Sequence, residues 1–83
     1  MMYALEYARQ AEKCIRKLPH DARERILIAL ERIRPHPRRS LVCLVGSPFY
    51  RLRVGDYRII IDLQEDRLVI LVIEIGTRDE IYK

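Results

Sequence analysis

Apolar residues recur along the first third of the chain at spacings of three and four. From Leu5 the series runs through Ala8, Ala11, Ile15 and Leu18, the period of a helix with one buried side. Pro19 stops it. Met2 to Leu5, at its front, is long enough for a short first strand. Asp21 and Glu24 have the spacing of an N-terminal capping pair, and their charge complements the positive end of a second helix. That helix carries its own stripe of Ala22, Ile26, Ala29, Leu30 and Ile33 before Pro35 and Pro37 end it. The short Pro-containing junction predicts an antiparallel helical hairpin, followed by a loop over 38–48.

Beyond Phe49 the period changes to two. Tyr50, Leu52 and Val54 alternate with Arg51 and Arg53, and Tyr57 to Leu63 reads as a return strand. Between them Gly55-Asp56 suits a two-residue hairpin turn, with glycine at the position that needs a positive backbone angle. Gln64 to Arg67 is a polar turn. Leu68 to Ile75 is apolar at nearly every position, as in a central strand, and Gly76 ends it, leaving 77–83 as a short tail. The order β-α-α-β-β-β describes an α+β fold, with the N-terminal helical hairpin on one face of a mostly antiparallel four-stranded sheet. A chain of 83 residues has volume for one core, so a single domain spanning 1–83 is expected.

The hairpin turn fixes a register: Val54 opposite Tyr57, Arg53 opposite Arg58, and Leu52 opposite Ile59. Alternation then sets Arg51, Arg53 and Arg58 on one face and turns Tyr50, Leu52, Val54, Tyr57, Ile59 and Ile61 toward the helices. Two arginines directly opposite one another repel, at a cost of roughly 0.2–1 kcal/mol. Folding does not ask for that arrangement, whereas a site for a polyanion does. Carried through the next turn, the same parity puts Glu74 on the helix-facing side. A bulge, an edge position or a different turn length would each resolve that conflict.

Charge sharpens the picture through its distribution. The net charge is +4, and the segment from Arg38 to Arg58 holds five arginines (38, 39, 51, 53 and 58) against Asp56 alone. Arginine outnumbers lysine thirteen to three, and its rigid donor fork suits phosphate better than lysine's point charge. Cys14 and Cys43 lie outside any CxxC spacing and read as free, small hydrophobes. His20 and His36 sit at helix ends without the spacing of a metal site, and no Gly-rich phosphate loop or nucleophile motif occurs. No cofactor or metal is therefore expected. The longest apolar run, Leu68 to Ile73, is too short to span a membrane, and the first residues lack a signal peptide's basic and apolar stretches. The expected location is the cytoplasm.

The stretch Tyr50-Arg51-Leu52-Arg53-Val54-Gly55-Asp56-Tyr57-Arg58-Ile59-Ile60 resembles the signature of the RelE/ParE toxin superfamily. Val72 to Tyr82 (Val-Ile-Glu-Ile-Gly-Thr-Arg-Asp-Glu-Ile-Tyr) is similar to that family's last strand and ending, and the Leu18-Pro19 junction matches its N-terminal half. The resemblance covers essentially the whole chain. It implies a RelE-type toxin: a metal-free endoribonuclease that cleaves messenger RNA in the ribosomal A site and is held in check by a RelB-like antitoxin. In that chemistry the 2′-hydroxyl attacks the neighbouring phosphate, leaving a cyclic phosphate and a free 5′-hydroxyl. By motif, the resemblance assigns the site to Arg51, Arg53, Arg58, Arg78 and Tyr82. Guanidinium groups suit the charge that grows on phosphoryl oxygens, and Tyr82 suits stacking on a base or a share in proton transfer. Thr77 stands where many relatives carry His, which leaves the general base unassigned. Two alternatives share the fold: a ParE-like DNA gyrase inhibitor and a non-catalytic binder. ParE-like relatives tend to be longer and often lack the terminal tyrosine.

Overall fold

The structure, a computed structural model, describes residues 2–77. In chain order it contains β1 (Ala4–Tyr7), α1 (Arg9–Lys17), α2 (His20–Ile33), a 3-10 turn (Pro37–Arg39), β2 (Val42–Cys43), β3 (Tyr50–Val54), β4 (Tyr57–Gln64) and β5 (Val69–Thr77). The strands form one sheet in the order β1-β5-β4-β3-β2, antiparallel throughout except where β1 runs parallel to β5. The α+β class is the expected one, with both helices against one face. The sheet has five strands rather than four, because Val42 and Cys43 pair with Arg51 and Tyr50 inside the segment expected to be loop. Two residues are too few to show a period. What makes them a strand is the turn after them, closed by Leu44 N–H donating to the Phe49 carbonyl at 3.1 Å, with Gly46 at φ 73°.

Two boundaries move for tertiary reasons. The first strand extends to Tyr7, beyond the expected Leu5, because Glu6 and Tyr7 continue the parallel ladder opposite Leu71 and Val72. Leu5 therefore joins the core from a strand and not from a helix. The second helix starts at His20, capped by Pro19 without a side-chain hydrogen bond. Asp21 thus lies within the first turn, where its charge still meets the helix's positive end, and it is not the cap. The junction is held from the other side by Arg23, whose guanidinium donates to the carbonyls of Ile15 and Leu18 at 3.2 Å each. Both carbonyls lie at the end of α1, where that of Ile15 also accepts from the Leu18 N–H.

The core lies between the helices and the sheet. Ile26 and Leu30 of α2 meet Ile59 and Ile61 of β4, and Ile70 and Val72 of β5, all fully buried. Ala11 presents the buried face of α1, while Cys14 packs half-buried at its edge. Cys43 departs from expectation: it is exposed on β2 and does not pack as a small hydrophobe. Among the described residues, no helix is long and apolar enough to cross a membrane.

Removing a side chain from the middle of this layer has a definite cost. Leu30→Ala should lower unfolding free energy by about 2–5 kcal/mol in urea titration, because the helix cannot collapse onto a sheet already paired. A milder test concerns the 3-10 turn, where Arg38 forks onto Glu65 at 2.7 and 2.5 Å. The hydrogen bonds from Arg38 hold the Glu65 carboxyl below its usual range. A depressed folded-state value means the contribution is present above the ordinary glutamate range and fades as pH falls through the folded value. Because the pair faces solvent, Glu65→Gln should only slightly flatten the acid side of a plot of melting temperature against pH.

Candidate active site

The Gly55-Asp56 turn forms as the sequence requires, with Gly55 at φ 58°. Arg53 then pairs with Arg58, Leu52 with Ile59 and Val54 with Tyr57. Leu52, Ile59 and Ile61 are buried under the helices, and Tyr50, Val54 and Tyr57 pack against that core. The residues between them, Arg51, Arg53 and Arg58, consequently share the opposite, outer face. Arg53 is exposed, while Arg51 and Arg58 are half-buried.

Arg58 is the most constrained of the three. One terminal nitrogen donates weakly to the Tyr57 carbonyl at 3.5 Å, and its Nε is shielded from water with no hydrogen-bond partner among the described residues. Buried donors are rarely left unsatisfied, and those that are mark places where a ligand or water completes the set. On the far side of Arg58 stands Gly76, directly paired with it. The row Arg53–Arg58–Gly76 therefore ends in a buried position with no side chain.

The next row across the face reads Val42, Arg51, Ile60 and Glu74. Glu74 is here because β5 carries a bulge. Ile61 pairs with Val72 and Ile60 with Glu74, so Ile73 is the extra residue between them. An inserted residue inverts the alternation beyond it. The inversion turns Glu74 outward and Ile75, 3 % exposed, into the core. The helix-facing placement of Glu74 that strict parity predicts is thus overturned, and of the three open explanations the bulge is the one that applies.

Val42, Cys43, Leu44, Val45 and Ser47 rise along one side of this row, and with Arg51, Ile60 and Glu74 they line an open groove of about 690 Å³. The β2–β3 loop that supplies its apolar wall was invisible to periodicity. Its sequence signal was an apolar cluster, Leu41 to Val45, in a segment otherwise suited to loop. Of the five arginines counted between 38 and 58, Arg38 stands apart, since it pairs with Glu65. Arg78 and Tyr82 lie outside the described residues. No group of three or more His, Cys, Asp or Glu side chains that could hold a metal occurs among the described residues.

Comparison with known proteins places this arrangement in context. A family model described as the ParE toxin of the type II toxin–antitoxin system parDE matches residues 5–82. Among solved structures, an arginine-to-alanine mutant of E. coli toxin RelE in the free state superposes with a TM-score of 0.84 at 28% identity, covering 99% of this chain and 92% of that one. The toxin in the intact E. coli RelBE complex gives 0.79 at 26% identity, with 90% and 95% covered. The archaeal RelE–RelB complex from Pyrococcus horikoshii gives 0.80 at 26%, with 94% and 97% covered. No curated protein matches the chain by sequence. With a family model spanning nearly all of its length and a shared fold at these similarities, the chain belongs to the RelE/ParE superfamily of toxins of type II toxin–antitoxin systems.

Proposed function

We propose that this toxin is a ribosome-dependent endoribonuclease that cuts messenger RNA without a metal ion. The observation that carries this reading is the opposed pair Arg53 and Arg58 beside the side-chain-free position Gly76. Like charges held face to face are unfavourable until an anion lies between or upon them. A phosphodiester set against Arg58 meets fixed donors as charge accumulates on its oxygens, the form of stabilisation that counts most in phosphoryl transfer. Arg51 and Arg53 hold the RNA backbone in this scheme. Arg58 and Arg78 meet the developing charge, and Tyr82 stacks on a base or steadies a proton. These last two roles rest on the sequence resemblance. The site occupies a single chain of 1–83 and acts in the cytoplasm.

An antitoxin partner follows from the family. Relatives of this fold are seen in toxin–antitoxin complexes from E. coli and P. horikoshii. A RelB-like protein that covers or distorts the basic face would silence the toxin, and its acidic segments would complement the arginines.

A second reading, inhibition of DNA gyrase, draws on the ParE name of the matching family. A supercoiling assay run beside cleavage of ribosome-bound message separates the two.

For the ribonuclease, Arg58→Ala should lower the single-turnover cleavage rate by roughly 10²–10³, the usual loss on removing one preorganised donor. Its melting temperature should hold or rise slightly, since the opposed charge is gone. An unchanged rate in a folded variant would mean that this face is not where the chemistry occurs. Chelation supplies an independent check: cleavage should persist in EDTA under conditions that keep the ribosome intact, and restoration by zinc or manganese alone would exclude a metal-free reaction.

A further inference from the structure

The groove beside the arginines contains a carboxylate that neither the fold nor the five proposed site residues use. Glu74 is half-buried, faces the outer side of the sheet only because of the bulge at Ile73, and lines the groove with Arg51 and Ile60. It makes no hydrogen bond or ion pair among the described residues. The other acids on this side of the sheet are engaged: Glu6 with Arg67 at 3.7 Å, and Asp62 as acceptor from Gln64 at 3.0 Å. Glu74 is a diagonal neighbour of Arg58, which pairs with Gly76 two residues on. At such positions backbones lie about 7–8 Å apart, within reach of long side chains. Arg51 is two strands away in the same row, about 10 Å across the sheet, with Ile60 between.

That geometry constrains what Glu74 can do. A carboxylate repels a phosphate, so a phosphate bound by the arginines must lie clear of it. A group that belongs next to both is a neutral donor attached beside the phosphate, and in RNA the 2′-hydroxyl is such a group. The apolar side chains of Val42, Leu44 and Val45 line the same groove as the carboxylate and offer it no competing donor.

We propose that Glu74 is the proton acceptor in the cleavage, an assignment that rests on the ribonuclease reading. The 2′-oxygen forms a bond to phosphorus as the bond from phosphorus to the 5′-oxygen breaks. The 2′-proton passes to the Glu74 carboxylate, the departing 5′-oxygen takes a proton from water, and Glu74 returns its proton to solvent. No electrons change hands. The backbone inversion at Ile73 thereby brings a base to a face otherwise built to bind anions.

The test is single-turnover cleavage of a ribosome-bound message by the intact toxin and by Glu74→Gln and Glu74→Ala, with thermal melts of each. At saturating toxin, Glu74→Gln should slow cleavage by roughly 10²–10⁴, the range for loss of a positioned base. Its affinity for a message lacking the attacking 2′-hydroxyl should stay unchanged. Added formate should restore part of the rate to Glu74→Ala, whose truncated side chain leaves space for it, and none to Glu74→Gln. Full-rate cleavage by a folded Glu74→Gln overturns the assignment and leaves the ribonuclease reading standing. Weaker binding with an unchanged saturated rate overturns it in favour of a contact to a base amino group. A slow Glu74→Gln whose Glu74→Ala counterpart ignores formate assigns the carboxylate a purely electrostatic role and likewise overturns it. If the unaltered toxin leaves ribosome-bound message intact while melting normally, the ribonuclease reading fails and this assignment fails with it.

Discussion

Two helices cover one face of the sheet and leave the other open, and the alternation of side chains along each strand converts that asymmetry into a site. Once Leu52, Ile59 and Ile61 are drawn under Ile26 and Leu30, the residues between them have no remaining choice of side. Arg51, Arg53 and Arg58 are outward because their neighbours are inward. The burial that stabilises the core therefore also holds the charges together, and the repulsion between Arg53 and Arg58 is small beside it. Among the described residues, the bulge at Ile73 is where this coupling is broken. It lets β5 keep Val72 and Ile75 in the core while Glu74 goes out.

The arginines divide according to what they touch. Arg23 satisfies the end of α1, Arg34 donates to the Tyr3 carbonyl at 2.8 Å and ties the end of α2 to the first strand, and Arg38 grips Glu65. Each of these has a protein acceptor within hydrogen-bond reach. Arg53 has none among the described residues, and Arg58 has only a long contact to a backbone carbonyl. Arginine's planar fork serves both purposes, as a tie onto backbone carbonyls and carboxylates inside the protein and as a donor set suited to an anion on the outer face.

How legible all this was from the sequence follows the range of the interaction concerned. The β3–β4 register was readable because a two-residue turn leaves no slack and the arginines alternate beside it. The helical stripes were readable because their period repeats over several turns. Val42 and Cys43 were not, since so short a strand is defined only by its partner. Glu74 was misplaced because parity propagates only while no residue is inserted, though a lone charge inside an apolar strand was itself the sign of trouble. Arg38 was counted with the arginine cluster because its partner, Glu65, is distant in sequence. The assignment of Asp21 as a cap failed by two positions, since Pro19 already provides the backbone turn that begins α2. The roles given to Arg78 and Tyr82 depend on motif alone.

The parallel pairing of β1 with β5 has a consequence for how the toxin comes into being. Ala4 to Tyr7 are made long before their partners Val69 to Val72. Contacts so distant along the chain are slow to close, because the whole intervening loop must be ordered before they form. The strand that flanks Arg58 on the Gly76 side is that same late strand. A nascent chain short of β5 lacks Glu74 and Gly76, so the groove and the row that ends beside Arg58 are completed only when that strand pairs. The arginine-bearing face is thus completed only when the later partner of β1 joins the sheet.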